Sequence, residues 1–553
     1  MKNRFILMLL QSLVPMFETL EVRQLLALTA PTGFSGTVLN PVAIQLSWQR
    51  STQQRGSLLE RQEPDGSWKV LSSKAGTSNY RDTNRRPGTT YSYRVRAWKA
   101  LELSPYAYVN VMIPAYDAGV NAATVAQPAA APTGAKTLSI TSYGATSNNS
   151  SNDDSAAFNS AMSAAKAGDT VYIPAGTFHL KSDNIVIKSG VNVAGAGSAS
   201  SKLYATFGTA ADQYVFTIAK GSTDITVRDF SVYCSSGNVY SSALLMGSST
   251  ITSPVVNRVR VTGLHVEGFD NWAINVRNGQ NITIDNNRIL NAAATGGGGE
   301  GYGINLNYDN TSRCWVHHNT IGSSDAGNYQ IRHSILIQYR AHHNLIENNT
   351  SYNNVYDHYD LHGEDEYSNE LRYNYASGSL SGVGFGLGNT GGTNPVHYNS
   401  GPNNWIHHNE VTGCEFGMEI INESDLQFIE DNNLHDNRLA GIRAYNGGGD
   451  SLYILRNTIT NNTKGIWLDA SQNSWIEANT IRNNSGYGLL TTSTVSSYVI
   501  LDNVFSGNGT NLSLANSLGE FRNGIFVFSE TPIPLDEGQG VDTISPQPRP
   551  ILK

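Results

Sequence analysis

The 553-residue sequence has only three cysteines, Cys234, Cys314 and Cys414, too few and too widely spaced for a disulfide framework or a zinc site. No run of eighteen apolar residues occurs, which excludes a membrane-spanning helix. There is no excess of basic charge: 37 Lys and Arg stand against 45 Asp and Glu, a net charge of −8, so the chain has no electrostatic footprint for nucleic acid. The seven methionines do not cluster with the histidines, which sets aside a metal-delivery protein built on Met/His/Cys clusters. Charged residues are 15%, against a usual ~25%, and the Ala/Glu/Lys/Leu bias of helical bundles is missing. What remains is 39% hydrophobic residues, enough for a large core, together with 53 glycines and abundant asparagine. That mixture suits a turn-rich, all-β protein.

The chain divides by composition. Residues 1–29 combine a basic start, Met1-Lys2-Asn3-Arg4, with a short apolar run, Phe5 to Leu10, as an export signal does. The following stretch, Leu20-Glu21-Val22-Arg23-Gln24-Leu25-Leu26, resembles the bacterial export motif LEPR-x-LL, with Val22 in place of Pro. This implies a secreted or cell-surface bacterial protein. Residues 30–114 show alternating strands: Ile44–Trp48, Trp68–Leu71 and Tyr91–Ala97, the last preceded by Pro87-Gly88-Thr89-Thr90. An early-strand Trp and a late Tyr-x-Tyr strand suit a small β-sandwich with a tyrosine corner, and the stretch resembles a fibronectin type III module. Residues 115–136, rich in Ala, Pro and Gly, read as a linker of mixed stiffness. A Pro-rich tail, 529–553, lacks apolar periodicity and reads as disordered.

The span 137–528 is repetitive. A motif apolar-x-x-Asn-x-apolar recurs with its Asn at 287, 319, 349, 374, 409, 432, 457, 479 and 503, at intervals of 22 to 35 residues. Units of 22–25 residues with short β-branched strands signal a solenoid, and one coil of a right-handed parallel β-helix fits that length. Coils stack about 4.8 Å apart, so identical Asn side chains at one turn can form a hydrogen-bonded ladder. The longer intervals mark coils with inserted loops. Asn152-Asp153-Asp154-Ser155 can cap a helix running to about Gly168, which would close the N-terminal end of the solenoid. Together with Ser142-Tyr143-Gly144-Ala145 and Asp169-Thr170-Val171-Tyr172-Ile173-Pro174-Ala175-Gly176-Thr177-Phe178, this opening resembles that of the pectate-lyase-like β-helix enzymes, which include polysaccharide lyases, epimerases and glycosidases. The later coils resemble generic β-helix repeats shared by periplasmic copper-loading, lyase and epimerase proteins.

Period-two alternation in the strand about fifteen residues before each Asn separates inward Ile, Leu and Met from outward positions. The outward columns read Asn305, Leu336, Asp360, Glu419, Arg443, Trp467 and Asn307, Gln338, His362, Ile421, Tyr445, Asp469. Such a face is expected to bind a long polar polymer: amides and charges meet hydroxyls or carboxylates, and aromatics stack on sugar rings. An ordinary solvated face would be rich in Ser, Thr and Lys instead. Ten of the thirteen histidines fall within 317–408, against about two for an even spread. The His-His pairs at 317–318 and 407–408 precede ladder asparagines and read as turn residues, whereas His333, His358 and His362 do not. The stretch Asp357-His358-Tyr359-Asp360-Leu361-His362-Gly363-Glu364-Asp365-Glu366 packs five carboxylates into ten residues, which costs energy unless they share protons, meet basic groups such as Arg332, Arg340 or Arg372, or bind a cation. Ca²⁺ is the cation that carboxylate oxygens would hold, although no spaced calcium motif is present. No cofactor is otherwise called for.

Asp360-x-His362 is similar to the Asp-Pro-His element of mannuronan C5-epimerases, with Leu361 in place of Pro, and Arg332-His333 resembles the Arg-His pair of β-helix alginate and chondroitin lyases. No Asp is found at 381–384 where the epimerase pattern places a later one, and the Asn-Thr-Asp, Asp-Asp and Gly-His-Gly motifs of polygalacturonases are missing. The candidate catalytic residues are Asp360, His362, Arg332 and His333; Asn305, Asn307, Gln338, Glu364, Glu419, Arg443, Tyr445 and Trp467 are the candidate substrate-binding residues. In β-elimination on a uronate, His362 or His333 would be the base, Arg332 or Arg443 the neutraliser and Tyr445 the proton donor. In hydrolysis, Asp360 and Glu419 would flank the bond. The His-rich, basic character of 332–362 favours elimination, with hydrolysis next and C5-epimerisation or non-catalytic carbohydrate binding as further alternatives. The expected protein is a monomer acting on an extracellular polysaccharide, without nucleic acid and without a membrane span.

Overall fold

The computed structural model describes residues 28–528, apart from 84, 183, 208–212, 235–240, 251–253, 293–300, 325–330, 389–397, 470, 493–497, 516–518, 523 and 524. The export-signal reading of 1–29 falls almost wholly, and that of the 529–553 tail wholly, outside them. The chain forms two compact units, up to Tyr116 and from Asp117 on.

The first unit is an antiparallel β-sandwich. One sheet holds Thr32–Asn40, Ala43–Gln49 and Asn79–Asp82; the other holds Gly56–Gln62, Trp68–Ser72, Thr90–Lys99, Glu102–Leu103 and Ala107–Met112. Alternation along Thr90–Lys99 sends Tyr91, Tyr93 and Val95 into a core with Ile44, Leu46, Trp48 and Leu59. Two polar ends of that core are satisfied locally. The Tyr91 hydroxyl accepts from the Arg86 N–H at 2.7 Å, and Trp48 Nε1 donates to Ser57 Oγ at 2.9 Å.

The second unit is a right-handed parallel β-helix of three sheets with 16, 13 and 13 strands. Each coil adds one strand to each sheet: in one, Leu345–Glu347, then Thr350–Asn354, then Tyr359–Leu361. The inward Ile, Val, Leu and Phe of successive coils fuse into one core along the axis. A helix, Ser155–Ala164, buries Phe158, Ala161 and Met162 and covers the N-terminal end. Asp154 stands at its start, but its carboxylate accepts from the Thr146 and His179 N–H groups at 2.9 and 2.8 Å, tying the helix to neighbouring segments.

The asparagine ladder is complete: all nine residues from Asn287 to Asn503 are joined, each Nδ2 donating to the next Oδ1 at 2.8–3.1 Å. Two further ladders occupy the other corners, Asn344–Asn369–Asn404 and Asn437–Asn462–Asn484–Asn508. The residue before every asparagine of the long ladder is left-handed, with φ between 53° and 56°, from Asn286 through His318 and His408 to Asp502. The second histidines of the 317–318 and 407–408 pairs are therefore turn residues. A row of glycines, Gly417, Gly441 and Gly465, takes the second position of successive strands of the third sheet. A Cβ on Gly441 would lie 2.4 Å from Ile459 Cγ2 and 2.9 Å from the Gly465 carbonyl, so only glycine allows that approach.

The stretch sequence reading took as a linker is docked on the helix. Ala126 N–H and Gln127 Nε2 donate to Asn281 and Thr283, Ala129 N–H to Asp224 and Lys136 N–H to Asp169. It thus walks back along four coil steps, about 19 Å, towards the N-terminal coil.

Asn432 accepts from both the N–H and Nδ2 of Asn409 and donates to the Ile406 carbonyl and Asn457. Asn432→Ala strands these buried groups and is expected to cost about 3 kcal/mol, against about 1 kcal/mol for Asn503→Ala near the end of the ladder, read from denaturation midpoints.

Candidate active site

The candidate residues gather on the outward face of the third sheet. Its strands align Asn305, Leu336, Asp360, Gly386, Glu419, Arg443 and Trp467 in one column. The looped coil that the sequence places between Asp360 and Glu419 carries the strand Val383–Leu387, so the two are not in adjacent rows: Gly386, which has no side chain, stands between them. Their Cα atoms are therefore two coil spacings apart, about 10 Å.

On one side of Gly386 lies an imidazole–carboxylate cluster. His333 opens the strand His333–Gln338, and Asp357 and Asp360 belong to the next coil; they are 4%, 2% and 1% exposed. His333 Nδ1 is 3.1 Å from Asp360 Oδ2 and 3.9 Å from Asp357 Oδ2. His362 Nδ1 bonds to the same Asp360 oxygen at 2.7 Å. Burial alone would lower the His362 pKa, but the charge and hydrogen bond of Asp360, with Glu364 and Asp357 beyond, hold it up at about 9. Burial, together with the like charges of His362 and Arg332, drives His333 well below the usual imidazole range, so it is neutral. The Arg332 guanidinium lies over the rings of Tyr302 and Tyr356 at 5.8 and 5.3 Å. His358 points away from this cluster, bonded through Nδ1 to Ser351 Oγ, and burial takes it down to about 3. Glu366, which accepts from the Gly363 and Glu364 N–H groups, is raised well above the carboxylate range by burial and by Glu364.

On the other side is a cavity of about 320 Å³ whose walls include Tyr356, Asp357, Glu415, Glu419, Arg443 and Tyr445. Arg443 Nη1 lies 3.0 Å from Glu419 Oε1. Its guanidinium is stacked among Tyr445, Trp467 and Phe416, at 4.0, 4.7 and 4.9 Å from the ring centres. Burial raises Glu419 to about 7 in spite of Arg443, with Glu415 adding to the rise. Tyr445, 42% exposed, forms the open rim. Asn305, Asn307 and Gln338 sit further along the sheet in a closed section, where Asn305 Nδ2 reaches Asn275 and Asn307 Nδ2 reaches Gln338. The cavity brings Asp357 to the face of Glu419. Asp357 is not among the sequence candidates, because it lies just outside the aligned strand; its place within the acidic stretch was its only signal.

Fold and site together define a right-handed parallel β-helix with an acidic cavity on one sheet. Residues 137–360 match the family model described as rhamnogalacturonase A/epimerase, pectate lyase-like, and residues 385–523 match that of the periplasmic copper-binding protein NosD. Among solved structures the chain is similar to the A-module of the mannuronan C-5 epimerase AlgE4 of Azotobacter vinelandii, at 16% identity and a TM-score of 0.44, covering 68% of this chain and 98% of the module. It is also similar to the catalytic unit of a GH87 α-1,3-glucanase from Streptomyces thermodiastaticus, at 16% identity and a TM-score of 0.44, covering 86% and 89%. A third likeness is to an exopolygalacturonase of Thermotoga maritima, at 10% identity and a TM-score of 0.45, covering 69% and 94%. No curated protein matches the chain. Among the described residues, no helix is long and apolar enough to cross a membrane.

Arg443 is the cation that restrains Glu419. Arg443→Met is expected to move the Glu419 midpoint above 7, as read by carboxyl ¹³C NMR titration; a midpoint that stays put would detach the two groups.

Proposed function

We propose that the protein is an exported, monomeric, polysaccharide-active enzyme that cleaves glycosidic bonds by acid–base hydrolysis in the cavity beside Glu419. The observation that carries this reading is the pairing of a carboxyl raised to about 7, Glu419, with carboxylates across the same cavity, Asp357 and, behind it, Asp360. Two carboxyl groups whose surroundings differ in this way divide into acid and base. Glu419 gives its proton to the leaving glycosidic oxygen as the C–O bond breaks. The opposite carboxylate takes a proton from water as the new C–O bond forms at the anomeric carbon. Tyr445 and Trp467, with Arg443 between them, offer stacking and hydrogen-bonding groups to neighbouring sugar units.

β-Elimination on a uronate is the second reading, supported by the basic side chains Arg332 and Arg443 and the imidazoles His333 and His362. The walls of the cavity weigh against it. Even with Glu419 in its neutral acid form they carry Asp357 and Glu415 against Arg443, a balance that disfavours a polyanion and suits an uncharged polymer.

The test follows reducing ends and near-ultraviolet absorbance together over neutral and uronate-containing polysaccharides. Reducing ends without absorbance are expected; absorbance at new chain ends would establish elimination instead. Glu419→Gln is expected to lower kcat by about 10²–10⁴-fold. The acid form of Glu419 is required, so activity falls as pH rises through about 7, and the variant loses this alkaline limb.

A further inference from the structure

We propose that His333, Asp357 and Asp360 form a binding site for one divalent cation of the Zn²⁺ or Mn²⁺ class, with an open coordination position towards the cavity. One donor atom from each side chain lies within 4.8 Å of the others, and all three residues are buried. His333 and Asp360 are held by the strand His333–Gln338 and its parallel partner Tyr359–Leu361, and Asp357, just before the second strand, is anchored by accepting from the Val383 N–H at 3.0 Å through Oδ1.

The decisive feature is direction. In a hydrogen-bonded cluster, donor and acceptor point at each other; in a coordination sphere they point at a shared centre. His333 Nδ1 lies only 3.1 Å from Asp360 Oδ2, yet it makes no hydrogen bond of acceptable geometry, although its side chain is 96% buried. The imidazole is therefore not aimed at the carboxylate oxygen beside it. Donor atoms about 2.0–2.2 Å from a common ion stand about 3.0–3.5 Å apart around it, close to the His333–Asp360 spacing, and the 3.9 Å to Asp357 closes with a small shift. His362 bonds to the same Asp360 oxygen at 2.7 Å and fixes that carboxylate, the kind of outer support metal ligands carry.

One imidazole nitrogen with two carboxylate oxygens matches ions that accept mixed N and O ligands. Ca²⁺, which takes six to eight oxygens, fits worse. Asp357 also lines the cavity, so a water on the ion's open side would face Glu419. The link from this cation to bond cleavage rests on the hydrolytic reading above; the binding itself does not. The match to the copper-binding family model begins at residue 385, beyond all three ligands.

The test uses the full chain, stripped with a chelator and dialysed against Zn²⁺, Mn²⁺ or Ca²⁺. Elemental analysis is expected to find one Zn²⁺ or Mn²⁺ per chain, with a higher Tm than the stripped protein. Co²⁺ in the same site is expected to give visible d–d absorption. Asp357→Asn should keep the Tm of the stripped wild-type while weakening the ion by about 100-fold or more. His333→Gln serves the same purpose should Asp357→Asn not fold. Stoichiometric ion bound equally by wild-type and folded variants, no ion bound at all, or Ca²⁺ bound in preference would each overturn the assignment. A bound ion with no cleavage of any polymer overturns the hydrolytic reading alone; cleavage that survives stripping, with no ion taken up, overturns the cation site alone.

Discussion

Everything in the β-helix depends on the stacking of one coil directly on the next, at the spacing of hydrogen-bonded strands. That constraint is easy to meet along the strands and hard at the corners, where the chain must turn without lifting the coils apart. The long corner turns through a left-handed residue each time, a conformation that costs a non-glycine residue about 1–2 kcal/mol. The asparagine that follows answers this cost. Its Nδ2 holds a carbonyl of the previous coil and the Oδ1 of the next asparagine, as when Asn349 reaches Val316 and Asn374. Because the carboxamide has two donors and an acceptor of the right reach, the same residue serves coil after coil, and the strain of each turn is met by the bond between turns.

Stacking at a fixed rise also dictates how a site can be assembled. Outward side chains fall into rows, so a functional group meets side chains from the coils before and after it as well as those two residues away on its own strand, as His362 meets Asp360. Glu419 meets Arg443 for this reason, and His333 meets Asp360. Insertions leave the register untouched: the strand containing Gly386 pairs with those of Asp360 and Glu419 although the coil that follows it carries a loop. The rigid sheet supplies placement, and composition along a column sets its chemistry.

Much of this was legible in residue order. The interval between asparagines revealed the coil, and the β-branched alternation revealed which residues face the core. The two shorter ladders were not apparent, since three or four asparagines at a corner are no clear period against an Asn-rich background. The site was legible in part. Asp360, His362, His333, Glu419 and Arg443 stood out because charge and imidazole are unusual on a strand. A coil between Asp360 and Glu419 was legible, but its inserted loop hid their separation, and its outward Gly386 carries no chemical signal. Asp357 escaped because it precedes its strand. The depth at which Asn305 and Gln338 lie could not be read either: alternation says which way a side chain points, not what covers it.

The silent coil has a physical role. At an effective dielectric of about 20, two unit charges one row apart, about 4.8 Å, interact by about 3.5 kcal/mol, and two rows apart by about 1.7 kcal/mol. A carboxylate at row 386 would stand beside both Asp360 and Glu419, binding their protonation together. Glycine in that row adds no such link and leaves only the weaker two-row interaction between them. Glu419 is then governed by its own burial and by Arg443, while Asp360 answers to His333 and His362. One column can thus hold a carboxyl that keeps its proton near neutrality and a carboxylate cluster suited to a cation, within a single face of one sheet.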